Sequence, residues 1–214
     1  MKAPMPKNEK KRLEVLWQYE VLDTVPEQVF DDLADLAACI CGAPIALITL
    51  VDETRQWFKS KVGISVSETS RDISFCAHAI LQKNLFIVAD ATKDARFAQN
   101  PLVTEEPKIR FYAGAPLITP DGHALGTLCV IDKVAHTLRP DQKRALQTLS
   151  RHVMTQLELR HRSMELARAS EERDSIRRDL QKARVELIQA RRQLSENKIE
   201  LQKGRRKSSL KARR

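Results

Sequence analysis

The 214-residue sequence has no long apolar run. No stretch approaches the ~20 consecutive apolar residues that a bilayer-spanning helix needs. The first twelve residues are polar and lack the apolar core of a secretory signal peptide. These absences favour a cytoplasmic protein without a membrane span.

Cysteines are few, and their spacing is wrong for the common cysteine motifs. Cys39 and Cys41 are separated by one residue, which excludes a CxxC redox or zinc pair. Cys76 and Cys129 also lie in apolar stretches, where free thiols pack as small hydrophobic groups. Cys76 and His78 would point about 200° apart on a helix, which is poor geometry for a tetrahedral metal site. We therefore expect reduced cysteines and no metal.

Aromatic residues and prolines disappear after Arg160, where charged residues dominate. The composition predicts four parts: a basic N-terminal extension (1–12), a globular domain (13–159), a helical coiled-coil extension (160–203) and a basic disordered tail (204–214). The net charge of +9 is concentrated at the two ends. Such a tail is either a solvated end or a binding element for nucleic acid, anionic lipid or an acidic protein.

The globular part alternates helical and strand patterns. Helices are predicted over 8–19, from residue 24 or 26 to Ile40, and from Asp141 to Gly204, with Gly42 ending the second. Ser70 or Asp72 is expected to cap a further helix that contains Phe75 and Cys76. Strands are predicted over 45–51, 56–60, 86–89, 111–118 and 125–131, and Asp121-Gly122 marks a hairpin turn. This mixture indicates an α+β fold with a central antiparallel sheet flanked by helices.

The C-terminal segment carries a heptad pattern. Leucine recurs every seven residues and alternates with a second position. The seam residues are Ile176, Leu180, Leu187, Leu194 and Leu201. Alanine and Asn197 fill the alternate positions poorly, so the segment is a solvated single helix, a dimeric coiled coil or a helix docked on a partner.

Four stretches carry a family resemblance across about two thirds of the chain. They read YEVLDTVPEQVFDDLADLAACICGAPIALITLVDETRQWFKS, TSRDISFCAHAI, VADATKDARFAQNPLVT and IRFYAGAPLITPDGHALGTLCVID. The chain resembles the GAF domains of bacterial signalling proteins, which are often joined to histidine kinase or diguanylate cyclase outputs. The resemblance implies a five- or six-stranded antiparallel sheet with a pocket on one face. Residues 65–82 and 90–110 would cover that pocket. Family members hold cyclic nucleotides, bilins, haem or amino acids, and fold alone does not choose among them.

The segment from Arg71 to His78 is the most distinctive candidate site. Arg71 near a helix N-terminus could bind an anion, and Cys76 could sense oxidants. The alternative is structural: Ser or Asp caps the helix, Phe75 and Cys76 pack inward, and Arg71 pairs with Asp90 or Asp94. The ligand-pocket candidates are Trp57, Phe58, Arg71, Phe75, Cys76, His78, Asp90, Asp94, Phe97, Phe111 and Cys129.

Several activities of the family lack their signatures here. There is no adjacent Cys-His pair for bilin attachment and no match to the NKxnFxxxDE-type cyclic-nucleotide signature. We expect a non-enzymatic sensor, acting as a homodimer, that binds a small molecule or senses redox state and relays it through the C-terminal helix to a partner protein. The alternatives are a ligand-free scaffold that binds nucleic acid or an acidic protein, and an enzyme like the free methionine sulfoxide reductases.

Ser208 and Ser209 follow basic residues and are candidate phosphorylation sites.

Overall fold

The computed structural model describes the backbone of residues 2–211, and the side chains of residues 2–199 and 201–203. The chain divides into two compact units, the first ending at His161 and the second starting at Arg162. The first contains the whole sheet, and the second is helical over its described length. Among the described residues, no helix combines the length and the hydropathy needed to cross a bilayer.

A six-stranded antiparallel sheet forms the centre of the first unit. The order across the sheet is β3-β2-β1-β6-β5-β4. The strand bounds are β1 (Ile45–Val51), β2 (Arg55–Val62), β3 (Glu68–Ser70), β4 (Phe86–Val88), β5 (Phe111–Ile118) and β6 (Ala124–Asp132). Five strands follow the sequence patterns, whereas β3 has no counterpart among the predicted strands. Its three residues have no apolar alternation, and β3 forms by pairing with β2.

Both faces of the sheet are covered, so the central strands β1 and β6 are largely apolar, with Thr49 and Thr127 as buried polar residues. In β1, Ala46, Ile48 and Leu50 belong to one core, and Ile45 and Leu47 belong to the other. This alternation follows the two-residue period of a strand. We call the first the helix-side core and the second the loop-side core.

The helix-side core is covered by three helices. They are α1 (Glu9–Gln18), α2 (Gln28–Cys41) and the first turns of α5 (Pro140–Lys211). Helix α2 ends at Gly42 as predicted, with a left-handed φ of 64° that suits glycine. Leu146, Val153 and Leu157 of α5 are buried in this core.

The loop-side core is covered by short elements. A 3-10 turn (Arg71–Ile73) leads into α3 (Phe75–Ala79), and α4 (Pro101–Thr104) lies in the later loop. The prediction that Ser70 or Asp72 caps α3 is wrong. Ser74 caps α3 by accepting a hydrogen bond from the Ala77 amide at 3.0 Å, while Ser70 caps the 3-10 turn. Helix α4 was missed because it has one turn, although Asn100 followed by proline is a helix-start pattern.

Two predicted boundaries need correction. Arg12, assigned to the N-terminal extension, belongs to α1 and is almost fully buried. Helix α5 is assigned through Lys211 and does not end at Gly204, so residues 204–211 of the predicted disordered tail are helical. One glycine in a helix costs only about 1 kcal/mol, and the flanking Lys and Arg residues favour a helix. The side chains of Ser208 and Ser209 and residues 212–214 lie outside the described part of the chain.

Candidate functional site

An apolar cavity of about 400 Å³ opens on the loop-side face of the sheet. Strands β1, β2 and β6 form its floor through Ile45, Leu47, Phe58 and Ile131. The segment after β2 contributes Ile64, Ser65, Val66 and Thr69 to one wall. The opposite wall contains Leu102, Glu106, Pro107 and Ile109. The cavity is therefore bordered by both segments that the resemblance implied as pocket covers.

The polar groups of the cavity wall are few and mostly engaged. Gln56 donates a hydrogen bond from Nε2 to Thr69 Oγ1 at 2.8 Å, and its Oε1 accepts one from the Ser74 hydroxyl. The Glu106 carboxylate forms an exposed ion pair with Lys133 at 3.2 Å. Among the described residues that line the cavity, Glu106 is the charged member, and no Lys or Arg is present. Such a lining favours a small, largely apolar and uncharged molecule.

A buried thiol pair lies on the same face of the sheet. Cys76 of α3 and Cys129 of β6 are buried, with their Sγ atoms 3.9 Å apart. The Tyr112 hydroxyl donates a hydrogen bond to Cys76 Sγ at 3.3 Å. The four cysteines are free in this structure.

The two thiols differ in acidity. Burial raises the pKa of Cys129 well above its ordinary value. Burial acts in the same direction on Cys76, but hydrogen bonds from Cys129, Thr127, Thr49 and Tyr112 outweigh it and lower the pKa of Cys76 below its ordinary value. Cys76 is therefore the thiol of the pair that ionises first.

An aromatic cluster fills the space beside the thiols. Phe75 stacks on Phe97 with ring centroids 4.0 Å apart, and Tyr112 lies 5.2 Å from Phe75. His78 meets the edge of Phe97 at 4.8 Å. Phe75, Phe97 and Tyr112 are buried in the loop-side core, His78 is half-buried beside them, and none of the four lines the cavity.

The predicted aromatic, histidine and cysteine pocket residues separate into three groups. Phe58 borders the cavity; Phe75, Cys76, Phe97 and Cys129 belong to the filled loop-side core, and the half-buried His78 contacts Phe97 at its edge. Trp57 and Phe111 belong to the helix-side core, on the opposite face, so their prediction as pocket residues is corrected. Side chains alternate between the two faces along a strand, so the neighbours Trp57 and Phe58 of β2 point to opposite faces of the sheet. Phe111 stacks on His136 at 3.9 Å.

The charged candidates are engaged with other protein groups. Asp90 pairs with Lys93 at 3.0 Å, and Asp94 pairs with Arg96 at 2.6 Å. Arg71 pairs with Glu9 of α1 at 2.5 Å and donates to the Asp52 carbonyl at 2.8 Å. The predicted alternatives for Arg71, an anion or Asp90 or Asp94, are therefore corrected. The sequence could not show this, because Glu9 is 62 residues away.

The cavity residues that sequence reasoning missed are mostly aliphatic. Val66, Leu102 and Ile109 belong to segments that were predicted as covers but not as lining, and Ile64 directly precedes the first cover segment. The sequence signal for these residues was their apolar character inside otherwise polar loops. Fully exposed loops are mostly polar, so apolar residues within a loop indicate that part of the loop is buried.

A second cavity, of about 510 Å³, lies between β5 and the first turns of α5. Charged side chains border it, among them Lys83, Arg151 and Glu158. It is on the opposite side of the sheet from the thiol pair, and the predicted cover segments contribute little to it. The apolar cavity is therefore the better candidate site.

Comparison with known proteins places this geometry in a family. The model of the GAF domain matches residues 25–157. A cyclic di-GMP phosphodiesterase of Pseudomonas aeruginosa is 48% identical over 130 residues, which are 61% of this chain but 22% of that relative. The chain thus spans about a fifth of the length of this curated relative.

Solved structures agree on the fold. The GAF domain of an Acinetobacter phosphoenolpyruvate-protein phosphotransferase superposes with a TM-score of 0.54 at 19% identity, covering 73% of this chain and 96% of that one. The GAF domain region of a putative membrane protein of Geobacter sulfurreducens gives 0.51 at 20% identity, with coverages of 70% and 97%. At these identities the likeness establishes the fold alone. The family match over most of the chain decides the assignment: this protein belongs to the GAF domain family.

Proposed function

We propose that the chain is a sensor module that binds a small, uncharged and largely apolar molecule in the apolar cavity and relays the bound state through α5. The observation that supports this proposal best is the cavity itself, about 400 Å³ in volume and bordered by both cover segments. Pockets of this size and character hold small molecules in many proteins. The GAF fold and the signalling relatives agree with this role.

The lining argues against a phosphorylated ligand. Phosphate groups are bound by Arg, Lys or helix N-termini, whereas the charged member of this lining is the Glu106 carboxylate. Cyclic di-GMP carries two phosphodiester groups, so we infer that it is not the occupant of this cavity. The 48% identity to the phosphodiesterase covers about a fifth of that enzyme, and we infer that the similarity concerns regulation and not catalysis.

A polar contact network offers a route from the cavity to α5. Phe58 borders the cavity, and the next residue, Lys59, reaches the opposite face with its side chain fully buried. Its ammonium group lies 2.6 Å from the carboxylate of Glu27, which also pairs with Arg160 of α5 at 3.0 Å. Arg160 additionally donates to the Tyr19 and Glu20 carbonyls. A ligand that moves β2 would therefore act on the contacts that hold the end of the packed part of α5.

The first test is binding of Nile red, a neutral apolar dye that fluoresces strongly when it leaves water. We expect saturable binding to the full chain, because the dye matches the volume of the cavity and the apolar character of its lining. The variant Ile64→Trp should weaken binding by about tenfold or more, since it fills the cavity from a half-buried loop position. The matched control is Val25→Trp, which adds the same side chain at an exposed position away from the cavity.

Fluorescence titration of the three proteins measures this difference. Equal binding by Ile64→Trp and the wild type, when both are folded by thermal melting, would refute the proposed site. A negatively charged dye such as anilinonaphthalene sulfonate should bind less tightly than Nile red, because the lining offers a carboxylate and no cation.

The thiol pair supports a second candidate function, peroxide sensing. Cys76 and Cys129 need to close from 3.9 Å to about 2.05 Å to form a disulfide. The Cys76 thiolate would attack a peroxide oxygen, the O–O bond would break, and the hydroxide released would take up a proton to become water. Cys129 would then attack the sulfur of the Cys76 sulfenic acid, expelling a second water and leaving the disulfide. Two thiols lose two electrons, and the peroxide gains them.

Hydrogen peroxide should therefore lower the intact mass of the chain, measured without alkylation, by about 2 Da. The variant Cys129→Ser should instead stop at the sulfenic acid of Cys76, which a dimedone probe detects. The control Cys39→Ser removes the exposed cysteine and should keep the mass loss. An unchanged mass of the wild-type chain after peroxide treatment would contradict the sensing role of the pair. So would a loss of about 2 Da from the Cys129→Ser variant.

A further inference from the structure

The second unit carries an unpartnered apolar stripe. Ile176, Leu180, Leu187, Leu194 and Leu201 are each more than half exposed in the single chain. Isolated exposed leucines are common on protein surfaces, but a row at heptad spacing on one helix face is not. We call this row the leucine seam. Leu159 and Leu166 lie in the same register upstream and are exposed as well, but Arg173 takes the position between Leu166 and Leu180.

Charges of opposite sign flank the leucine seam on its two sides. In heptad notation the leucines occupy position a, and Ile176, Ala183, Ala190 and Asn197 occupy position d. Position g, directly before each a residue, is acidic in three successive heptads: Glu172, Asp179 and Glu186. Position e, directly after each d residue, is basic in four: Arg177, Arg184, Arg191 and Lys198.

This arrangement is complementary to itself in one orientation. In a parallel, in-register pair, position g of one helix lies next to position e of the following heptad of the other. Glu172 would then meet Arg177 of the second copy, Asp179 would meet Arg184, and Glu186 would meet Arg191. In an antiparallel pair g faces g and e faces e, so acid would face acid and base would face base. The charges therefore favour the parallel orientation.

We propose that the leucine seam pairs with a second copy of this chain as a parallel, in-register two-stranded coiled coil, held in register by the g-to-e charge pairs. This inference names the partner of α5 and rests on the relay in the proposed function. Ala183 and Ala190 fill their seam positions poorly, and Asn197 is polar, so the apolar contact is modest. The pairing consequently depends on the charges, and its strength falls as ionic strength rises.

Two charge-reversed variants test the pairing. One carries Glu172→Arg, Asp179→Arg and Glu186→Arg, which makes both flanks basic. The other carries Arg177→Glu, Arg184→Glu and Arg191→Glu, which makes both flanks acidic. Light scattering should give twice the chain mass for the wild type, the single-chain mass for each variant alone and the two-chain mass for their mixture. A matched control with three reversals on the outer face, Arg178→Glu, Lys182→Glu and Arg192→Glu, should stay dimeric.

Cysteine cross-linking fixes the orientation. In a Cys39→Ser background, Leu180→Cys and Leu201→Cys should each form a disulfide between copies, because like positions meet only in a parallel, in-register pair. Val185→Cys, on the outer face, should not. Single-chain mass for the wild type, or cross-linking of Val185→Cys as fast as of Leu180→Cys, would overturn the proposal. Nile red titration of the same variants keeps the two proposals separate, since the cavity lies in the first unit and loss of pairing leaves its lining intact.

Discussion

Replacing Glu9 by glutamine should destabilise the folded domain by about 3 kcal/mol, because it removes the negative charge shared by two buried arginines. Glu9 accepts two hydrogen bonds from Arg12 at 2.8 Å and one from Arg71 at 2.5 Å. The side chains of Arg12 and Arg71 are 2% and 5% exposed, so neither can recover its pairing with water. Denaturant unfolding of the wild type and the variant measures the difference.

The same carboxylate predicts a pH dependence. Burial alone would raise the pKa of Glu9, but the hydrogen bonds and charges of Arg12 and Arg71 lower it from 4.5 to about 2. A lowered folded-state pKa means that the stabilisation is complete above about pH 4.5 and is lost as the pH falls toward 2. The wild type should therefore lose more unfolding free energy than Glu9→Gln over this interval.

Glu14 provides the matched control for Glu9. It lies on the same helix and pairs with Lys11 at 3.3 Å, but both side chains are well exposed. Glu14→Gln should change stability by less than about 0.5 kcal/mol. Equal effects of the two substitutions would show that the buried cluster does not stabilise the attachment of α1 to the 3-10 turn before α3.

Replacing Gly126 by alanine should cost at least about 3 kcal/mol, because β6 passes too close to β1 for any side chain at this point. A Cβ built on Gly126 would overlap the Thr49 carbonyl oxygen and press on the Cα of Leu50. Both atoms are backbone of the central strand pair and cannot move aside alone. Strand separation there would also displace Thr127 and Thr49, which hydrogen-bond beneath the thiol pair at 3.1 Å.

The control is Gly42→Ala, at the end of α2. Gly42 has a left-handed φ of 64°, but a Cβ would meet no atom within 4 Å. The substitution should therefore cost only about 1 kcal/mol, the price of placing alanine in that backbone conformation. Thermal melting of both variants decides the matter, and a Gly126→Ala protein as stable as Gly42→Ala would contradict the close approach of β1 and β6.

Much of the fold follows from short-range patterns in the sequence. The apolar runs of β1, β5 and β6 and the glycine that ends α2 carry their own local signals, and the structure confirms them. The elements that were not predicted are β3 and α4. They have three and four residues, which is too short for a periodic pattern. Those elements owe their conformation to tertiary contacts, such as the hydrogen bond from Asn100 to the Ile73 carbonyl.

The candidate site was harder to predict than the fold. Aromatic and charged residues drew attention, yet Phe75 and Phe97 stack on each other, and Arg71 pairs with a carboxylate far along the chain. The cavity instead exists because the aliphatic side chains of the two covering loops do not fill the space between those loops and the sheet. That is a property of packing, which no local pattern encodes. The spacing of Cys76 and Cys129 likewise gave no sign that α3 would place one thiol over the other.

Native mass spectrometry of the freshly purified full chain tests the central claim, a ligand cavity in a paired sensor, most directly. Our account predicts a species of two chains that takes up one molecule per chain, either retained from the source or supplied as Nile red. Ile64→Trp should keep the two-chain mass and lose the added mass, while Val25→Trp should keep both. Bare wild-type chains that take up no dye would contradict the account.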